Sequence, residues 1–294
     1  MSLAGGGSRI CIACLAFLVR FRREGLPCAS VNRVPSPRND ALAGNGGRTG
    51  VDKAKVRLFV EGRLEAGGCI TLNDRQAHYV TTVMRLGCGA RLRLFNAADG
   101  EWLGRIDDAG RGRCVMTIEA QCRHACAEPG PTLAFAPVKK DAIDFIVIKA
   151  TELGAAALLP VWTRFTAVQR LNLERLRANA IEAAEQCGRL TVPTIAEPVP
   201  LAALIAGWAP EQALLVFDRD RGGPLKAVIT AAAGRALPPP GLLTGPEGGL
   251  APEELDVLEA LPFVTAVAMG PRTLRADTAA IAALACWQAF AGDW

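Results

Sequence analysis

The sequence predicts an α/β protein in which a mainly parallel sheet, covered by helices on both faces, follows a smaller β-rich barrel. Three observations predict it. Strand-like and helix-like runs alternate from Thr132 to Phe290, short β runs crowd between Arg57 and Ile118, and a Gly- and Pro-bearing stretch over 120–131 separates the two patterns. Half of the 294 residues are apolar, enough for a sizeable core. No apolar run approaches the roughly 20 residues of a membrane-spanning helix.

Residues 1–55 differ from the rest. An apolar run over 10–19 is followed by Arg20, Arg22 and Arg23, the reverse of the charge order in a secretory signal. Residues 32–52 carry almost no large apolar side chain to repay ordering. The expectation is a poorly ordered leader, dispensable to the fold. An artefact of start-site choice or of cloning is one account of it, since Val51 and Val56 sit where a natural start would suit the fold.

The first folded unit is expected over 56–126. Residues 57–60, 91–95, 101–106 and 113–118 read as strands separated by Gly and Asp turns, and one helix, capped by Asn73 or Asp74, runs through His78 to Leu86. The second unit spans 132–294. Residues 132–138 read as a buried strand, 141–153 as a helix capped by Asp141, 158–161 as a strand and 171–187 as a long helix. Strand and helix then alternate over 213–217, 225–233, 241–244, 252–261, 265–268 and 278–290. Ligands of such sheets bind at the carboxyl ends of the strands, so the loops there are the place to look for chemistry.

Charge sets limits on partners. Of 33 Lys and Arg and 29 Asp and Glu, ten and three respectively fall in residues 1–57, which leaves the remainder slightly acidic. A nucleic-acid surface, if present, is therefore a local patch. The ten cysteines are scattered, and neither Cys11-x-x-Cys14 nor Cys122-Arg-His124-Ala-Cys126 is completed to a tetrahedral zinc set. Reduced thiols and no metal are expected.

Four segments carry information. Gly245-Pro-Glu-Gly-Gly249 lies between a strand and a helix that opens on Pro252. Its glycines let a backbone pass close to a ligand, although a plain strand-to-helix turn has the same look. It is neither a Walker loop nor a Gly-x-Gly-x-x-Gly dinucleotide loop. Met269-Gly-Pro-Arg-Thr-Leu-Arg-Ala-Asp-Thr-Ala279 also joins a strand to a helix and places Arg272 and Arg275 three apart, with pairing of Arg275 to Asp277 as its plain structural reading. Glu182-Ala-Ala-Glu-Gln-Cys-Gly-Arg189 closes a helix, and its bland reading is a solvated face; Lys139-Lys140-Asp141 opens another helix where a phosphate fits.

In order and spacing these segments, with His78-Tyr-Val-x-x-Val-Met-Arg-Leu86 and Lys149-Ala-Thr-Glu-Leu-Gly154, resemble the RsmE family, ribosomal RNA small subunit methyltransferase E, of the SPOUT class. The resemblance runs from about Arg57 to the C-terminus. It implies a PUA-like N-terminal barrel for RNA and a SPOUT-type α/β domain whose chain forms a trefoil knot. It also implies transfer of a methyl group from S-adenosylmethionine to N3 of one uridine of small-subunit ribosomal RNA, in a cytoplasmic homodimer whose two subunits build each site. Cofactor contacts would fall on Leu243, Gly245, Glu247, Gly248, Gly249, Met269, Gly270, Leu274 and Arg275. Arg272 or Arg275 would stabilise charge developing on the uracil oxygens, with Glu185, Gln186 and Arg189 reaching in from the partner subunit. RNA contacts would fall on Arg57, His78, Arg85, Lys139, Lys140, Lys149, Arg164 and Gln186. The chain departs from the family pattern at Ala142, Thr273 and Asp277, and Lys140 stands ready to replace a positive charge missing at Ala142. Two other readings are a SPOUT methyltransferase with a different RNA target and a non-enzymatic ribosome-assembly factor; the intact Gly- and Arg-bearing loops argue against the latter.

Overall fold

The computed structural model describes residues 54–110, 112–233 and 238–294. The leader expected over 1–55, with its Cys11 and Cys14, lies almost wholly outside the described residues.

The first sheet holds β1 (Arg57–Phe59), β2 (Cys69–Thr71), β3 (Arg91–Asn96), β4 (Gly100–Gly110) and β5 (Arg113–Arg123), in the order β1-β3-β4-β5-β2. β1 runs parallel to β3 and the other pairs are antiparallel. Register shifts at Glu101/Trp102, Leu103/Gly104 and Ile106/Asp108 bend the long β4–β5 ladder. The sheet thereby curls around Leu58, Leu92, Leu94, Ile106, Met116 and Ile118. Among the described residues no ladder joins β1 to β2, so the expected barrel is a curled sheet without closure by backbone pairing.

Helix α1 (Asp74–His78) plugs Ala77 into the same core. Asn73 caps it: its side chain accepts from the Gln76 N–H at 2.9 Å, and the Gln76 side chain accepts from the Asn73 N–H at 3.4 Å. The helix expected to continue to Leu86 instead changes pitch, with Tyr79–Val83 forming a π-helical turn.

The second sheet starts with β6 (Thr132–Phe135), followed by α2 (Lys140–Glu152), β7 (Ala157–Trp162) and α3 (Leu173–Cys187). Next come β8 (Thr194–Ile195), β9 (Val199–Pro200), α4 (Leu201–Gly207), β10 (Leu214–Asp218), β11 (Gly223–Pro224) and α5 (Leu225–Ala233). The chain ends with β12 (Gly241–Thr244), α6 (Pro252–Glu259), β13 (Val264–Ala268) and α7 (Ala276–Ala291). The order is β11-β13-β10-β12-β6-β7-β8, with β9 also on β7, and every pair is parallel. All residues of β6 and β12 are buried, which is why these central strands read as unbroken apolar runs. One face packs under Ile143, Ile146, Leu176, Ile229, Leu284 and Trp287 of α2, α3, α5 and α7; the other packs under Leu201, Leu204, Leu255 and Leu258 of α4 and α6.

The residue at the cap position of α2 is Lys139, with no side-chain capping bond, so the cap expected from Asp141 is not formed; Asp141 sits in the first turn, where its charge favours the helix amino end. α3 is better closed. Asn172 accepts from the Arg175 N–H at 2.9 Å, and Gly188 ends the helix at φ +85°, a conformation that costs any residue with a Cβ.

The last turn of α3 is where the two sheets meet. Glu101 of β4 is 1% exposed and lies 2.6 Å from Arg57, 3.1 Å from Arg93 and 3.6 Å from Arg123. Arg57 also donates to the carbonyl of Ala184 at 2.6 Å and to that of Arg189, and Arg123 donates to the Gly188 carbonyl at 2.7 Å. The Gly188 and Arg189 carbonyls lie beyond the last intrahelical bond, whereas the Ala184 carbonyl also accepts from the Gly188 N–H at 3.2 Å. The Phe59 N–H donates to Glu185 Oε1 at 3.0 Å, and the Arg57 guanidinium lies 3.6 Å above the Phe95 ring. Burial pulls the Arg57 guanidinium down from its ordinary value, against the upward pull of Glu101.

Removing one partner of a buried ion pair leaves uncompensated charge and typically costs about 3–5 kcal/mol. Glu101→Gln should therefore lower the unfolding free energy by that order in urea denaturation; a loss under about 1 kcal/mol would show that water reaches the cluster. Glu185 predicts a pH dependence. Burial, with Glu182 adding to it, pushes its carboxyl above the usual range despite the Phe59 N–H, Arg57 and Arg75. A carboxyl raised on folding contributes stability that is present below its unfolded value and lost as pH rises through its folded value. Glu185→Gln keeps an acceptor for Phe59 and should match or exceed the wild-type Tm near pH 7, with the advantage gone by about pH 4. A Tm lower than wild type at pH 7 would contradict this.

Candidate functional site

The loops at the carboxyl ends of β7, β10, β12 and β13 are tied to one another. The Thr244 carbonyl accepts from the Ala136 N–H at 3.0 Å, joining the ends of β12 and β6. The chain then turns tightly: the Gly249 N–H donates to the Pro246 carbonyl at 2.9 Å with Gly249 at φ +72°, and a Cβ on Gly245 would lie 3.0 Å from the Gly249 carbonyl carbon. Phe165, from the loop after β7, packs so closely that a Cβ on Gly248 would meet it at 3.2 Å. Pro252 opens α6 as its composition predicts. Glu254 in its first turn accepts from the Ala251 N–H at 2.9 Å and from the Arg164 N–H at 2.8 Å.

After β13 the chain passes through Gly270 at φ +89° and enters α7 at Arg275. Arg219, from the loop after β10, donates to Thr273 Oγ1 at 3.2 Å. Between these loops and the flanks of α5 and α7 lies a largely apolar cavity of about 670 Å³, within the usual range for small-molecule sites. Gly222, Pro224, Leu225, Lys226, Ala268, Met269, Gly270, Leu274, Ala282, Cys286 and Phe290 line it. Three residues expected to hold the cofactor, Met269, Gly270 and Leu274, thus stand together. Leu243 is buried within β12, and Gly245, Glu247, Gly248, Gly249 and Arg275 lie off the cavity wall. Sequence reasoning overlooked Gly222, Pro224 and Lys226. The Gly222-Gly223-Pro224 turn after β10 was the available signal, being a further strand-end loop.

Arg272 and Arg275 are exposed, and among the described residues neither guanidinium has an ion-pair or hydrogen-bond partner. Lys139 and Lys140 are exposed at the start of α2, and Lys140 shares a second cavity of about 400 Å³ with Arg170 and Arg175, the latter paired with Asp144. His78, Arg85 and Gln186 are exposed. Lys149 pairs with Glu152 of its own helix at 2.8 Å, and Arg164 with Glu253 at 3.2 Å; both pairs are open to solvent and exchangeable.

Three expected site residues make bonds within the chain. Arg57, expected on RNA, is spent on Glu101 and the α3 carbonyls. Arg189, expected to reach a partner's site, donates to the carbonyls of Thr151 at 2.8 Å and Ala155 at 2.9 Å and to Thr191 Oγ1 at 2.9 Å. It also lies 3.5 Å from Glu128. Burial would raise the Glu128 carboxyl, but bonds from Thr191 and Leu190, with the Arg189 charge, hold it below the usual range. Glu185 accepts from the Phe59 N–H at the junction of the sheets. Among the described residues no three His, Cys, Asp or Glu gather as a metal site, and no helix is long and apolar enough to cross a membrane.

Known proteins place this geometry. Residues 128–288 match the family model for an RNA methyltransferase domain, and residues 72–119 that for an RNA methyltransferase PUA domain. Ribosomal RNA small subunit methyltransferase E of Rickettsia conorii is 31% identical over 230 residues, covering 78% of this chain and 93% of that protein. The protein of the same name from Synechocystis is 32% identical over 234 residues, covering 78% and 76%. Among solved structures, ribosomal RNA small subunit methyltransferase E from Neisseria gonorrhoeae, bound to S-adenosyl methionine, superposes with a TM-score of 0.74 at 25% identity over 81% of this chain and 99% of that one. A Legionella pneumophila structure in complex with the cofactor SAM gives 0.71 at 27% identity over 80% and 97%. The curled sheet is thus PUA-like and the parallel sheet of SPOUT type, and the chain belongs to the ribosomal RNA small subunit methyltransferase E family.

Proposed function

We propose that this chain methylates N3 of one uridine in small-subunit ribosomal RNA, with S-adenosylmethionine as donor. The observation that carries the reading is the strand-end cavity bordered by Met269, Gly270 and Leu274, next to two cations without partners. The cavity fits the donor in size, and its apolar wall suits an adenine and a methionine side chain. When bound, S-adenosylmethionine supplies an electrophilic methyl on a sulfonium. Met269, Gly270 and Leu274 would hold it, and Lys226, also in the cavity lining, would offer a positive charge to its carboxylate.

The protein's own part is positioning and charge. A uridine N3 sits on the pairing edge, so the base must be unpaired or flipped before it can be attacked. Holding that nitrogen in line with the methyl makes the encounter effectively intramolecular. Arg272 and Arg275 are placed to stabilise the charge that spreads onto the uracil oxygens as the imide proton leaves. Lys139, Lys140, Arg164 and Lys149 supply phosphate contacts, Gln186 borders the RNA path from the end of α3, and His78 and Arg85 extend that path onto the first sheet.

The reading also takes residues 56–126 and 132–294 as the two domains, which the limits of the two family matches support. It includes the trefoil-knotted path, with which the crossover carrying β13 past β10 is consistent. A homodimer in the cytoplasm completes it; the exposed Phe145 on α2 and Phe290 on α7 offer apolar surface for a second copy.

Nucleoside mass spectrometry of small-subunit RNA from a strain lacking the gene should show loss of N3-methyluridine, restored by the purified protein with S-adenosylmethionine. Persistence of the nucleoside in that strain would overturn the target. Arg272→Ala should lower kcat by about 10²–10³-fold, the usual cost of removing a donor to developing charge, with donor affinity within about twofold of wild type. Equal losses in kcat and donor affinity would place Arg272 in the cofactor site instead.

A further inference from the structure

We propose that the outer face of the π-helical turn on the first sheet is a platform on which one unpaired base of the RNA substrate stacks, with Tyr79 supplying the ring, Arg75 and Arg85 the cations and His78 a neighbouring polar group. This rests on the rRNA methyltransferase reading above and adds to it a contact mode and a residue that neither the motifs nor the cofactor loops assign.

Through His78 the helix has ordinary pitch; then the Met84 N–H donates to the Tyr79 carbonyl at 2.9 Å and the Leu86 N–H to the Val80 carbonyl at 3.0 Å, wider loops than an α-helix closes. Such turns are rare and recur at functional sites. Here the turn keeps Ala77 and Val80 fully buried while leaving Tyr79 37%, Val83 59% and Met84 39% exposed. Residues four or five apart share a face of such a turn, so Tyr79, Val83 and Met84 form one apolar stripe, with Arg75 one turn before Tyr79. Three such side chains adjoining on one turn make a contiguous apolar patch rather than scattered exposed residues.

Just past the turn and its cap Met84 stands Arg85 at φ +54°, the one non-glycine residue with positive φ among the described residues. Glycine takes that conformation without penalty, and Gly87 and Gly89 stand just beyond, yet the position holds a long cation. A strained residue that stability does not require is a pointer to binding. Arg75, His78 and Arg85 are all exposed, and among the described residues none of their side chains has an ion-pair or hydrogen-bond partner. The carboxylates nearest in chain or charge are Asp74, beside Arg75 in sequence, and Glu185, which Arg75 influences across the junction.

An aromatic ring in an apolar stripe bordered by free cations matches a nucleotide, the ring offering a stacking surface for any base and the cations complementing phosphate. The patch falls inside the segment that matches an RNA methyltransferase PUA domain. It is also anchored toward the other sheet, since Gln76 Nε2 donates to the Phe59 carbonyl at 2.7 Å and the Phe59 N–H holds Glu185 of α3.

The test uses the full chain, purified small-subunit ribosomal RNA and S-adenosylmethionine, with Tyr79→Ala, Tyr79→Phe and Arg85→Gly. Loss of one stacked base should weaken RNA binding by Tyr79→Ala about 5- to 150-fold, Tyr79→Phe should bind as wild type, and donor affinity should be unchanged in both. Arg85→Gly should weaken RNA binding and reduce its salt slope by about one while its Tm stays level or rises, a combination that a purely structural role would not produce. Wild-type RNA affinity in Tyr79→Ala, equal losses in Tyr79→Ala and Tyr79→Phe, or a fall in Tm with Arg85→Gly would each overturn the platform and leave the methyltransferase reading in place. So would loss of self-association in Tyr79→Ala with RNA binding intact, which would make the stripe a protein interface. Failure of the wild-type protein to bind or methylate the RNA would instead overturn the underlying reading, and the platform with it.

Discussion

One buried carboxylate anchors the ion cluster at the junction of the two sheets. Glu101 gathers Arg57, Arg93 and Arg123, and two of those arginines extend to the carbonyls at the end of α3. A carboxylate removed from water is costly unless its charge and lone pairs are met. Here three guanidinium groups meet them, and Arg57 and Arg123 donate further to the Ala184, Arg189 and Gly188 carbonyls around the end of α3. The desolvation cost of the ions is offset at the same place where the two sheets are bonded to each other. The curled sheet is therefore seated on the parallel sheet by bonds of fixed direction rather than by apolar surface alone.

The parallel sheet supplies the other constraint. With its central strands buried on both faces, its chemistry is confined to the loops at the carboxyl ends. Cross-links from Arg219 to Thr273 and from the Arg164 N–H to Glu254 tie these loops into one surface. Gly249 and Gly270, both at positive φ, make the tight turns that these loops need.

Much of this was legible in the sequence, and for physical reasons. Long, strongly periodic elements such as α3 and α5 were read closely, as were the strands leading into the Gly- and Arg-bearing loops, because burial on a sheet face leaves an unmistakable apolar pattern. The short pieces β2, β8, β9, β11 and α4 were not. Elements of two to seven residues carry too few positions to show a period, and α4 opens on Leu201 without a polar cap. The change of pitch after His78 was equally hidden, since α- and π-helical turns share the same residue preferences.

The site was less legible than the fold, and the misplaced residues show why. Arg57 and Arg189 were assigned outward roles from the family resemblance, and nothing local reveals that Glu101, Glu128 and carbonyls far along the chain also bond them. A buried ion cluster is a product of tertiary contact, and sequence proximity carries no trace of it. The central claim is that this cluster makes one mechanical piece of the two sheets. Hydrogen–deuterium exchange of Arg57→Met against wild type tests it most directly. The account predicts faster exchange both at the Phe59 amide in β1 and across residues 185–191 at the end of α3; acceleration confined to the first sheet, with α3 protected as before, would contradict it.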